Sequence, residues 1–540
     1  MARKINAAKL PLAAAAMPRT IATLAWEKAK NQARDIAFHD GESEISYAAI
    51  THEAEALAAG MRSLGVQAGE TISFQLPNWR EAIAVNLAAA MLGLRVNPIT
   101  PIYRGAELRF ILRDAQATCL FIPTIFRSIH YGRMIDDLRP ELPDLRHVIK
   151  VRGEVADEGS YQWLLAQGRK HLPFQRINVD PGSAKLLLYT SGTTGRPKGV
   201  IHTHESIDVG TMSAVNVWDF VEGDVMLMPS PVTHITGYAF GLELPFQSAA
   251  RVVLMERWDA ARAVRHIEDY MVTASIAATP FLKELVDEAE RAGRKLPSLR
   301  MFACGGAAVP PALILRTARV TARCNAFRVY GATEIPLVTK GFWAPAERSL
   351  ASETDGRVIG YEVRITGADG SQLAKGRVGE VRVRGPAMLA GYTDPAETAK
   401  AIDEDGFFKT GDLAMLTDDD AIIVTGRLKD IIIRGGENIS PAEIEAALER
   451  HPAIQEAAVV AMPHPRLGEG VATFIRTVAG AEMPSLMEIT EFLDNAGLAR
   501  QKFPERLEYV DDFPRTASGK IRKDQLRAAI GRPLVLKLGG

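Results

Sequence analysis

The sequence predicts an α/β protein: a large N-terminal domain of parallel sheets layered with helices plus a small β unit, then a small α+β C-terminal domain. Three observations carry this. Between residues 37 and 122, short apolar runs alternate with stretches of helical spacing, as in βαβ units with helices on both faces of a sheet. Between residues 358 and 383 the pattern changes to strict apolar–polar alternation around an Asp369-Gly370 turn, which predicts antiparallel strands. Beyond residue 429, strands at 457–462 and 471–476 and a helix near 487–496 make a unit of about a hundred residues, a normal domain size.

The elements follow in order. Strands at 36–38 and 45–47 flank Asp40-Gly41 as a hairpin-like pair. A helix at 49–64 precedes a strand at 71–76, which Pro77-Asn78 ends. A helix at 79–92, a short run through Val96, a helix at 107–115 and a strand at 118–122 repeat the theme. Further on, 258–271 and 281–292 read as helices, and 272–277 and 300–303 as strands. Ser440 followed by Pro441 and Glu443 reads as a capping box opening a helix over 441–450, with proline at the first helical position where its missing N–H costs nothing.

The chain's 540 residues, 47% hydrophobic and 24% charged, suit a soluble globular protein, and with a net charge of −1 and no long basic block nothing points to nucleic acid or an anionic membrane as the main partner. Cys119, Cys304 and Cys324 lack C-x-x-C spacing and read as reduced, buried thiols of a cytoplasmic protein with no zinc site. Residues 1–17 imitate a signal peptide weakly and read as a loosely held arm; no run is long enough to span a membrane.

Residues 186–204, LLLYTSGTTGRPKGVIHTH, carry the strongest chemical signal. An apolar strand leads into a loop with glycines Gly192, Gly195 and Gly199, hydroxyls Thr190, Ser191, Thr193 and Thr194, and cations Arg196 and Lys198. Glycines let backbone N–H groups approach a ligand, hydroxyls donate and cations supply charge, a combination suited to a polyphosphate. The Walker pattern is excluded, because Pro197 stands where its second glycine belongs and Gly199 follows the lysine. Downstream lie His234 in a Pro-Ser-Pro-x-x-His-x-Thr-Gly segment, Cys304-Gly305-Gly306-Ala307, Tyr330-Gly331-Ala332-Thr333-Glu334, Thr410-Gly411-Asp412, Gly426-Arg427-Leu428-Lys429-Asp430, Arg434-Gly435-Gly436-Glu437, and Lys520 in Pro-Arg-Thr-x-Ser-Gly-Lys. Taken singly, these also read as a core histidine, ordinary turns and a solvated basic tail.

In this order the motifs resemble those of the adenylate-forming superfamily: acyl-CoA synthetases, peptide-synthetase adenylation domains and firefly-type luciferases. They cover about residue 186 to 523 and look most like bacterial short- to medium-chain fatty acyl-CoA and cyclohexanecarboxylate–CoA ligases. The resemblance implies an adenylation domain over 1–428 and a mobile catalytic domain over 429–540, hinged at Lys429. It gives the loop from Thr190 to Lys198 to the ATP phosphates, and Gly305, Gly306, Ala307, Tyr330, Gly331 and Ala332 to adenine. Thr333 is given to the α-phosphate, Glu334 to Mg²⁺, and Asp412 and Arg427 to ribose. Lys520 is implied as the catalytic lysine between carboxylate and α-phosphate, with Glu334, Thr190 and His234 beside it. His234, Ile235, Tyr238, Thr279 and Phe281 would line the acyl pocket, though each also reads as core. The loop of Arg434, Gly435, Gly436 and Glu437 would help form the CoA channel.

The implied activity is ATP- and Mg²⁺-dependent conversion of a carboxylic acid to acyl-AMP and then to acyl-CoA. Loading of a carrier protein, luciferase chemistry and a catalytically silent scaffold stay open as alternatives. The expected partners are the acid, ATP and CoA, with a homodimer admitted and neither nucleic acid nor a membrane span.

Overall fold

A computed structural model describes residues 19–530 except 42, 154–156, 191–196, 308, 436, 517 and 518, with Asn438 described by its backbone. The expected N-terminal arm lies outside the described residues. The chain divides into two compact units: residues 1–362 with 383–408, and residues 363–382 with 409–540.

The first unit holds two seven-stranded sheets. In one, Asn325–Val329, Met301–Gly305, Ala274–Ala277, Val225–Met228, Arg251–Leu254 and Ile36–Asp40 lie parallel, and Ser43–Ser46 closes the edge antiparallel. In the other, Ala184–Thr190, Arg95–Pro98, Thr71–Phe74, Ala117–Pro123 and His147–Val151 are parallel, while Lys198–Thr203 and Gly391–Tyr392 extend the edge antiparallel. The expected α/β class and parallel layering are therefore present. Tyr47 opens the helix Tyr47–Ser63 rather than ending a strand, because Ser46 Oγ accepts the Ala49 N–H and caps the helix there.

The helix Arg80–Leu92 is buried on nearly every side, as its almost wholly apolar sequence requires. Its N-terminus has no capping side chain of its own; instead Asp40 Oδ2, at the end of a strand in the other sheet, accepts the Arg80 N–H at 3.0 Å. Asn86 in this helix is fully buried, and a polar network satisfies it. Its amide donates to Glu243 at 2.8 Å and its oxygen accepts from the Tyr238 hydroxyl at 2.6 Å. Glu243 in turn pairs with the equally buried Lys185 at 2.6 Å.

The second unit contains a four-stranded sheet ordered Glu362–Thr366, Gly379–Arg384, Phe408–Leu416, Ile422–Arg427, and a five-stranded sheet built on the long hairpin Ile454–His464 and Gly468–Thr477. The capping box expected at Ser440 does not form. The Ser440 hydroxyl donates to the Thr425 carbonyl at 2.6 Å, and Glu443 takes the Lys502 ammonium at 2.6 Å. The Glu443 N–H donates to the Ser440 carbonyl at 3.3 Å instead of to its hydroxyl, and the Glu443 carboxylate is held by Lys502, so neither half of the box is made. The helix Pro441–Leu448 begins where expected and ends two residues early. All three cysteines are free and buried, and burial pushes each thiol up to about 12. No helix among the described residues is long and apolar enough to cross a membrane.

Candidate active site

Four neighbouring parallel strands of the first sheet release the chain at their carboxyl ends into four of the sequence motifs. Val225–Met228 leads to His234, Ala274–Ala277 to Thr279 and Phe281, Met301–Gly305 to Gly306 and Ala307, and Asn325–Val329 to Tyr330 through Glu334. Stretches far apart in sequence thus emerge side by side, at the end of the sheet where open α/β folds bind ligands. Gly306 has φ +79°, a conformation that favours glycine, and a Cβ at Gly331 would lie 2.7 Å from the Leu337 nitrogen. These glycines serve the turn and the close backbone passage directly.

Thr190 and Lys198 stand opposite one another at the mouth of an antiparallel hairpin in the second sheet. The strands on either side of the expected phosphate loop therefore pair as an antiparallel hairpin. Ser191, Gly192, Thr193, Thr194, Gly195 and Arg196 lie outside the described residues. The Lys198 ammonium pairs with Glu397 at 2.5 Å and stands 5.5 Å from the centre of the Tyr392 ring. Hydrogen bonds from Lys198 and Lys400 hold the Glu397 carboxyl down at about 2. The Tyr392 hydroxyl donates to Glu334 Oε1 at 3.0 Å, and the Glu334 carbonyl accepts the Leu389 N–H at 2.8 Å.

Two further residues tie this cluster together. His202, fully buried, faces the Thr333 carbonyl at 2.7 Å through Nε2 and Ser206 Oγ at 3.1 Å through Nδ1. A carbonyl only accepts, so Nε2 carries the proton. Asn78 clasps the segment leading to His234, donating to the Ser230 carbonyl at 2.9 Å and accepting the Val232 N–H at 2.8 Å. Sequence reasoning missed Tyr392, Glu397, His202 and Asn78 as parts of the site. For Asn78 the only signal was its place after a strand-ending proline.

Burial pushes His202 down to about 4 and the neighbouring His204 down to about 3, with Lys185 adding to the latter. The unfolded chain, near 6.5, binds these protons first as the pH falls. Stability from the neutral imidazoles is complete above pH 6.5 and is lost as the pH drops toward 4. For His202 the loss is on the order of 3 kcal/mol at about 1.4 kcal/mol per pH unit. Thermal melts at pH 7, 6, 5 and 4.5 should show this slope, and His202→Gln should flatten it; an unchanged slope would count against the assignment.

The acyl-pocket candidates fall in two groups. His234 is half-buried and caps the short turn Ile235–Gly237, its Nδ1 accepting the Thr236 N–H at 3.4 Å, while Ile235 is buried. Thr279 opens the helix Thr279–Arg291, its hydroxyl 3.8 Å from Cys304 Sγ, and Phe281 packs edge-on against Trp258 with ring centres 5.0 Å apart. Tyr238 instead turns into the interior, fully buried, with its hydroxyl on Asn86 and its ring 5.6 Å from the Lys185 ammonium. Tyr330 is 8% exposed, and its N–H donates to Thr339 Oγ1 at 2.8 Å.

The second unit holds the other candidates. Asp412 and Arg427 are partners across two antiparallel strands and form an ion pair at 2.7 Å. Lys429 lies in the short 3₁₀ turn Leu428–Asp430, where Arg527 donates to its carbonyl at 3.4 Å and to Asp430 at 3.1 Å. Arg434 and Glu437 face each other at a hairpin end, where Gly435 has φ +61°; Gly436 lies outside the described residues. The Arg434 guanidinium is paired with Glu505. Lys520 sits on a tight turn closed by the Thr516 N–H on its carbonyl at 2.7 Å and by its own N–H on Thr516 Oγ1 at 3.1 Å. Arg515 pins that turn to Glu456 on the strand Ile454–His464.

Comparison with known proteins identifies the family and the fold. The family model described as AMP-binding enzyme matches residues 25–393, and that described as AMP-binding enzyme C-terminal domain matches residues 443–520. The chain is 34% identical to a medium-chain fatty-acid–CoA ligase of Escherichia coli K12, over 91% of this chain and 87% of that protein. It is 30% identical to a 2,3-dihydroxybenzoate-AMP ligase of Bacillus subtilis 168, over 96% and 94%. Among solved structures, ATP-bound MatB from Rhodopseudomonas palustris superposes with a TM-score of 0.83 at 25% identity, covering 94% of this chain and 98% of that one.

Proposed function

The chain belongs to the AMP-binding enzyme family of AMP-forming ligases, and from that premise we propose that it joins a short- or medium-chain fatty acid, or an alicyclic acid, to CoA through an acyl-AMP intermediate. The observation that carries the reading is the convergence of the His234, Thr279, Gly306 and Glu334 segments at the carboxyl ends of one parallel sheet. The relative that is a medium-chain fatty-acid–CoA ligase supports the substrate class.

In the first step a carboxylate oxygen attacks the α-phosphorus of ATP, and pyrophosphate leaves as acyl-AMP forms. Both reactants are anions and the carboxylate is a weak nucleophile, so positioning and charge neutralisation must lower the barrier. Lys198 and the loop after Thr190 take the phosphates, Thr333 the α-phosphate, and Asp412 with Arg427 the ribose. Gly305, Gly306, Ala307 and the Tyr330–Ala332 segment line the base. Lys520 bridges the carboxylate and the α-phosphate as a mobile point charge. Among the described residues no group of three or more His, Cys, Asp or Glu side chains could hold a metal by itself. The lone Glu334 carboxylate suits magnesium, which is commonly shared between one or two carboxylates and nucleotide phosphates. Bound there, the ion would neutralise phosphate charge, with Tyr392 holding its carboxylate ligand in place.

In the second step the CoA thiol attacks the mixed anhydride and AMP leaves. We assign residues 429–540 as the body that turns about Lys429 between the steps, withdrawing Lys520 and presenting the loop of Arg434, Gly435, Gly436 and Glu437.

Mass spectrometry of reactions with ATP, Mg²⁺ and single acids, with and without CoA, tests the proposal. Butanoate, hexanoate, octanoate, palmitate, cyclohexanecarboxylate and benzoate cover the classes. Acyl-CoA from the short, medium or alicyclic acids, with acyl-AMP accumulating when CoA is omitted, is the expected result. Acyl-AMP that CoA never consumes would replace the CoA ligase with a carrier-loading enzyme, and no adenylate from any acid would sink the reading.

The ribose assignment carries its own prediction. Asp412→Ala should weaken ATP binding by about 10- to 100-fold, the loss of a hydrogen bond to a charged group. ATP lacking both ribose hydroxyls should bind the wild type and the variant alike. A variant that still prefers ATP over that analogue by the wild-type factor would contradict the role.

A further inference from the structure

One side chain touches both charge-handling groups of the first unit. Tyr392 sits in the edge strand Gly391–Tyr392, held in register by Val200 and Ile201 of the hairpin that carries Lys198. Its backbone N–H donates to Thr398 Oγ1 at 2.8 Å, so the residue is fixed from both sides. Its hydroxyl donates to Glu334 Oε1 at 3.0 Å, and the Lys198 ammonium stands 5.5 Å from its ring centre.

A carboxylate on a single long side chain has torsional freedom, and a metal-binding carboxylate is normally oriented by a hydrogen bond to its other face or oxygen. An ammonium on a four-carbon stem is likewise mobile, and an aromatic face within about 6 Å attracts and localises it. We propose that Tyr392 is a positioning residue that couples the two groups, its hydroxyl setting the Glu334 carboxylate for magnesium and its ring seating Lys198 for phosphate. This rests on the nucleotide-site reading above. It adds that metal and phosphate recognition share one side chain and can be separated by removing its hydroxyl or its ring.

Tyr392→Phe removes the hydroxyl and keeps the ring; Tyr392→Leu removes both. Isothermal titration of each full-length protein with MgATP, and with ATP in EDTA, separates the effects without relying on turnover. The wild type should bind MgATP more tightly than metal-free ATP. Tyr392→Phe should lose most of that magnesium advantage, about tenfold as for other residues that orient metal ligands, with its metal-free affinity within about twofold of wild type. Tyr392→Leu should lose the magnesium advantage and bind metal-free ATP more weakly as well. In turnover, Tyr392→Phe should raise the KM for MgATP by a similar factor. The proposal is overturned if Tyr392→Phe keeps the full magnesium advantage. It is equally overturned if both variants weaken the two titrations alike with lowered melting temperatures, which would mark a structural role. A wild type that binds ATP under neither condition would overturn the nucleotide site itself, and this proposal with it.

Discussion

Lys520→Ala should slow formation of acyl-AMP by about 10²- to 10³-fold, the usual loss when one preorganised electrostatic contact to a developing charge is removed. The turn that carries Lys520 is closed by backbone and Thr516 contacts, and Arg515 anchors it to Glu456; an unchanged melting temperature would separate lost chemistry from lost fold. Rapid-quench measurement of acyl-AMP in a single turnover reads the step directly. Thioester formation from preformed acyl-AMP and CoA should stay within a few-fold of wild type, because the proposed turn of residues 429–540 withdraws Lys520 before that step. If adenylation proceeds at the wild-type rate, the assigned chemistry fails; if both steps fall together, the withdrawal fails and Lys520 serves both.

The largest expected effect on stability comes from Glu243→Ala, at about 3–5 kcal/mol, the penalty for stranding one member of a buried ion pair. Lys185 and Glu243 are 2% and 1% exposed and 2.6 Å apart. Burial already lowers the Lys185 pKa despite Glu243. Without its partner the folded ammonium is still less favourable, while the unfolded chain keeps its proton up to the ordinary lysine range. The unfolded state then binds more protons, so the penalty should shrink as the pH rises. Urea midpoints at pH 7 and pH 9 would show both features. Replacing both partners, Lys185→Met with Glu243→Leu, should recover most of the loss, since a matched apolar pair removes the stranded charge. A Glu243→Ala protein as stable as wild type would mean that the pair is hydrated.

Neither of these side chains announced itself in the sequence. Lys185 opens the apolar run before the Gly-, Ser- and Thr-rich loop, and Glu243 lies 58 residues later in an apolar stretch. Their pairing depends on a strand and a helix that meet only when the first unit is assembled. The same holds for Asp40, which caps a helix beginning 40 residues away, and for Tyr392, whose partner Glu334 is 58 residues distant. The capping box at Ser440 shows the converse: the local pattern was complete, and a lysine 59 residues on took the Glu443 carboxylate.

What the sequence by itself determined is local in its physics. Alternating runs and glycine or proline breaks specify buried strands, helices and turns, and they placed the parallel α/β layers and most element boundaries within a few residues. The Gly-, Ser- and Thr-rich hairpin loop, the Tyr330–Glu334 segment and the Lys520 tail identified the family because their chemistry is carried by adjacent residues. The tertiary structure alone decided which strand ends lie together, that Thr190 and Lys198 face each other across an antiparallel hairpin, and that Tyr238 turns into a polar interior. It also decided that Tyr392 joins Glu334 to Lys198. Those outcomes depend on burial and on competition among polar partners distant in the chain, and a buried donor takes the acceptor that packing delivers.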